Sequence, residues 1–150
     1  MHINPYSIAP FIATLAYIPL LLSTLQNRPW KSRHRLFFLL LASALTWSFF
    51  DYLLRDNLFP QYNLLFFDMV IILFAIVAVN FHAFLSSFFP PERGRWLIFA
   101  YGSVAVIIVL VLSGFVTKGV NVTGEYVHGI YSTGVIFVFS PLIILSCRDF

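Results

Sequence analysis

The sequence predicts an all-α fold: a single transmembrane domain, residues 1–150, built as a bundle of five spanning helices with the N-terminus outside and the C-terminus cytoplasmic. Three observations predict it. Hydrophobic residues make up 60% of the 150 and charged residues 10%, whereas charged residues are about a quarter of a soluble domain; too little polar surface exists to cover a water-soluble globule. Apolar runs of about 20 residues, enough to cross a hydrocarbon core roughly 30 Å thick, recur along the whole chain. The cations also segregate, with Arg28, Lys31, Arg33, Arg35, Arg93, Arg95 and Arg148 falling on one side of such a bundle and Arg55 and Lys118 on the other. Cytoplasmic loops carry the excess of Lys and Arg, so the first set faces the cytoplasm.

The first span, about 7–25, holds Pro10 and Pro19. Each removes a backbone hydrogen bond, which membrane helices tolerate. No Lys or Arg precedes it, so the basic start of a secretory signal is missing. Segment 26–35 is the most basic stretch of the chain, with Arg28, Lys31, Arg33, His34 and Arg35. The second span, about 36–54, carries Trp47 and meets Asp51 one turn before its end, with Arg55 four residues on and therefore on the same helix face. Asp56-Asn57 and Phe59-Pro60 supply turn chemistry for a tight connection. The third span, about 64–88, has Asp68 one turn inside and Asn80 and His82 towards its far end, before Pro90-Pro91 and the charged loop of Glu92, Arg93 and Arg95. The fourth, about 96–116, has no charge beyond its entry. Loop 117–128 is polar and punctuated by glycine; Asn121-Val122-Thr123 matches the short pattern for N-glycosylation. The fifth span, about 129–147, contains Pro141.

The net charge of +3 and pI near 9.2 do not indicate a nucleic-acid partner, because the cations sit in short loops where they set orientation. The single cysteine, Cys147, excludes a CxxC redox pair. No nucleophile with its base, HExxH motif or phosphate-binding glycine loop is present. The expectation is therefore a non-enzyme over these residues, without cofactor or metal. Matched halves with paired broken helices, the mark of many transporters, are missing too.

The residues with chemical potential are the polar ones within apolar runs, since ionisable groups in a bilayer mark functional sites by default. Asp51 and Asp68 fall at similar depth below the outer surface, with Tyr126, His128 and Tyr131 on the same side. Together they outline an outward-facing vestibule for a small ligand or cation. The same residues also fit plain architecture, as acids at helix ends and aromatics at the interface. Asn80 and His82, two residues apart, point to different faces of one helix. They fit hydrogen bonding to neighbouring helices, with proton sensing or metal binding by His82 as the alternative.

Some features resemble a known family. The basic segment 28–35, the run 36–50 with its alanines and Trp47, the Phe81-His82-Ala83-Phe84 close of the third span, and the Gly129-Ile130-Tyr131 entry to the fifth look similar to the N-terminal seven-span sensor region of bacterial histidine kinases and related signalling proteins. The resemblance covers the first five spans. It implies a multi-pass protein of the bacterial inner membrane that relays an external or bilayer signal to a cytoplasmic output domain in cis or in trans, with a homodimer as one assembly. It further implies that Trp47 packs in the outer half of the second span and that Tyr131 lines the vestibule. The ending at Cys147-Arg148-Asp149-Phe150 suggests a chain cut before two further spans. The other readings are a non-catalytic membrane anchor or assembly subunit, and small-solute or proton-linked transport.

Overall fold

Helix ends follow local chemistry closely. The computed structural model describes residues 5–26, 31–88, 94–123 and 126–148, with backbone alone at 94–96, 123, 126, 142 and 144–148. Helix α1 spans Pro5–Gln26, α2 Ser32–Arg55, α3 Asn63–Ser86, α4 Gly94–Leu112 and α5 Val135–Arg148. Between α4 and α5 lies a two-stranded antiparallel sheet, β1 Thr117–Thr123 and β2 Tyr126–Tyr131.

Helix α2 ends in a Schellman motif, in which the Asn57 amide donates to the Leu54 carbonyl at 3.2 Å and the Leu58 amide to the Leu53 carbonyl at 3.4 Å. Asn57 takes the left-handed conformation this requires, φ 50°, which asparagine tolerates better than most residues. Its side chain also accepts from Asn63 Nδ2 at 2.7 Å, fixing the start of α3 across the 3-10 turn Pro60–Tyr62. Helix α4 ends in the same way, with Gly114 at φ 71° and the Phe115 amide donating to Leu110 at 3.1 Å.

The core sits where α3 meets α4 and α5. Ile71, Ala75 and Val79 of α3 pack with Ala100, Val104, Ile107 and Val111 of α4 and with Val138 of α5. Helix α1 lies outside this core and packs on α2. Of its 22 residues only Ser7 and Pro10 are buried, and Ile12 and Leu15 remain more than half exposed. Both prolines are accommodated within the one helix.

Three of these segments, α1, α2 and Pro60–Ser86, are long and apolar enough to cross a membrane. The apolar part of α4, Leu97–Leu112, is shorter. The expected fifth span is corrected: residues 129–131 belong to β2, and α5 has 14 residues, about 21 Å at 1.5 Å per residue. The polar loop expected at 117–128 is likewise mostly a hairpin, so the fold is helical with a small sheet rather than all-α. The reason is local. Valines, threonines and tyrosine alternate with small or polar residues, and the pairs Val120↔Gly129, Asn121↔His128 and Val122↔Val127 close a ladder that suits β-branched side chains. Gly119 and Gly129 interrupt that alternation in the sequence. The Pro90-Pro91 end of the third span, Arg28, Glu92, Arg93, Glu125, Asp149 and Phe150 lie outside the described residues.

Candidate functional site

Asp51 sits on the face of α2 turned towards α1. Trp47, Ser48, Asp51 and Arg55 recur at helical spacing, and with Pro10 and Tyr17 of α1 they line a groove of about 320 Å³. Asp51 is 8% exposed. It accepts a hydrogen bond from Arg55 Nε at 2.8 Å, the i,i+4 pair expected from spacing. Arg55 itself is about half exposed, so its charge stays partly hydrated while the carboxylate does not. The groove is apolar along Ala9 and Ala13 and charged at one end, a combination that suits a small amphipathic ligand. Ser7 Oγ of α1 also donates to Asp56 Oδ1, just past the end of α2, at 3.3 Å.

Asp68 takes different company. Thr117 Oγ1, at the start of β1, donates a hydrogen bond to its carboxylate. One residue earlier, the Phe67 ring meets that of Tyr131 at a tilt of 52°, 5.4 Å between centroids. The same ring lies so close to Gly129 that a Cβ there would fall inside it. The hairpin is thus docked on the first turns of α3 at three points: a polar link, a ring contact and a close backbone approach that only glycine permits.

The expected vestibule therefore divides in two. Asp51 opens on the α1–α2 groove, and Asp68 joins Tyr131 at the α3–hairpin junction. Helical geometry is the cause: α2 lies between α1 and α3, and Asp51 shares the α1-facing stripe with Ser48, whereas Phe50 on another stripe meets Phe66 of α3 at 5.9 Å. His128 stands exposed in β2 opposite Asn121. Tyr126 pairs with Thr123 through the backbone, and its side chain lies outside those described.

Asn80 fastens three helices. Its Nδ2 donates to Ser43 Oγ at 3.1 Å and to the Leu39 carbonyl at 3.5 Å on α2, and its Oδ1 accepts from Tyr101 OH of α4 at 3.3 Å. His82 is buried on a different face, 6% exposed, and its carbonyl accepts from Ser86 Oγ at 2.8 Å. Trp47 is half buried with its ring 5.8 Å from Phe74. Its indole Nε1 is buried and has no hydrogen-bond partner among the described residues.

Sequence reasoning did not single out Thr117, Ser43 or Tyr101 as partners. Thr117 follows an apolar run and Ser43 sits within one, and only the fold shows that they face the half-buried Asp68 and the buried Asn80. Comparison with protein-family models, curated proteins and solved structures finds no match.

Proposed function

We propose that this chain is a membrane-embedded input module of a signalling protein, sensor-kinase-like, seated in a bacterial cell membrane and coupled to a cytoplasmic output domain in cis or in trans. The observation that carries the proposal is the groove between α1 and α2 that ends on the buried Asp51 carboxylate. Exposed apolar side chains around α1 suit lipid contact. A buried acid within such a segment is costly to keep unless it has work to do.

On this reading a small amphipathic ligand with a cationic or hydrogen-bonding head enters the groove and engages Asp51 in competition with Arg55. Helix α1 contacts little beyond α2, so occupancy shifts α1 against a firmer α2–α3–α4 unit. The shift in populations is bounded by the ligand's difference in affinity for the two arrangements.

The test is Asp51→Asn in cells, with the transcript profile compared with that of wild type and of a deletion strain. The proposal expects a profile displaced towards the deletion with membrane insertion unchanged. A wild-type profile would overturn it, and so would full function after residues 5–55 are exchanged for unrelated spans, as an anchor would allow.

A further inference from the structure

The seam between α1 and α2 has a second opening at its other end. There Leu20, Ser23 and Thr24 of α1 face His34 and Phe37 of α2 around a groove of about 430 Å³. Its lining is apolar at Leu20 and Phe37 and polar at Ser23, Thr24 and His34.

Among the described residues at this opening, charge has one sign. Residues 31–36 contain Lys31, Arg33, His34 and Arg35 and no acid. Lys31, Arg33, His34 and Arg35 are all exposed. Helix α2 also begins here with no acidic residue in its first turn and no side-chain cap on its leading amides, so the positive end of its dipole adds to the same field. Arg33 is held in place, its guanidinium carbon 4.9 Å from the centre of the Phe88 ring. Of the others, His34 lines the groove, and Lys31 and Arg35 stand exposed three residues before it and one residue after it.

We infer that this opening is a binding site for one anionic phospholipid, its phosphate held by Lys31, His34 and Arg35 and an acyl chain laid over Leu20 and Phe37. Charge complementarity selects the phosphate, and the apolar lining from Leu20 and Phe37 selects a lipid over a free anion. Thr24 Oγ1 gives its proton to the Leu20 carbonyl at 2.8 Å and can accept from a headgroup hydroxyl. A lipid so placed wedges α1 against α2 at the end opposite Asp51. The inference rests on the membrane reading above but not on any signalling role.

The experiment reconstitutes the whole chain in nanodiscs of 1:1 phosphatidylglycerol and phosphatidylcholine, and counts co-purifying lipid by native mass spectrometry. Phosphatidylglycerol should be retained selectively. Lys31→Gln with Arg35→Gln should weaken its retention roughly 30-fold, at about fivefold for each charge near the surface, while Lys31→Arg with Arg35→Lys should retain it. Equal retention of both lipids, an unchanged Gln variant, or displacement by glycerol 3-phosphate alone would overturn the lipid site. Flotation with pure phosphatidylcholine vesicles separates the two claims: a chain that floats but shows no anionic preference defeats the lipid site only, and one that does not float defeats the membrane reading with it.

Discussion

Asp51 and Asp68 are both carboxylates one turn inside an apolar helix, yet they are satisfied in opposite ways. Asp51 takes its partner from its own helix, four residues away. Asp68 takes its partner from β1, 49 positions along the chain. A local pair leaves the interface between helices free to change, because moving α1 breaks neither member. A cross-element pair ties two parts of the fold together, and moving the hairpin breaks it. The α1–α2 seam is accordingly open at both ends, while the hairpin sits tight on Phe67. Chemistry at Asp51 is expected to change behaviour, and changes at Asp68 to change stability.

The largest effect should come from Gly129→Val. Its side chain must enter the space of the Phe67 ring, and overpacking of this kind costs about 3 kcal/mol. Unfolding in detergent should show that loss, and Phe67→Leu in the same chain should recover part of it by making room. Thr117→Val comes next: it leaves the Asp68 carboxylate without its donor, at about 2 kcal/mol, with hydrogen exchange accelerating in β1 and β2 ahead of α3. Asn80→Ala removes links to both α2 and α4 and should cost about 1 kcal/mol, read from the same unfolding curves. Asp51→Asn should cost least, under about 1 kcal/mol, since Arg55 is half hydrated. A large stability loss there would make Asp51 a structural residue and erase the contrast.

Much of the helical architecture was legible in the sequence, for reasons that particular residues make plain. Apolar runs long enough to span, broken at Asp56-Asn57 and 27–31, leave few alternatives to helix for α1 to α3. The Asp51–Arg55 pair followed from a spacing of four, and the hydrogen-bonding role expected of Asn80 is met by Ser43, Leu39 and Tyr101. The hairpin did not follow, because its strands carry three glycines or asparagines where alternation would be read, and because the value of Gly129 lies in a ring from another element. Nor did the separation of the two acids. Depth along a helix can be counted from sequence, but the direction of a side chain around it depends on which neighbours the helix meets, and α2 meets α1 with one stripe and α3 with another.

A double-mutant cycle measures that separation most directly. Stability is determined for Asp68→Ala, Thr117→Val and Asp51→Asn, singly and in pairs, in the same detergent. The account predicts a coupling of about 1 kcal/mol or more between Asp68 and Thr117, and additivity within about 0.5 kcal/mol between Asp51 and Asp68. Strong coupling of the two acids, with none between Asp68 and Thr117, would contradict it and restore a single shared pocket.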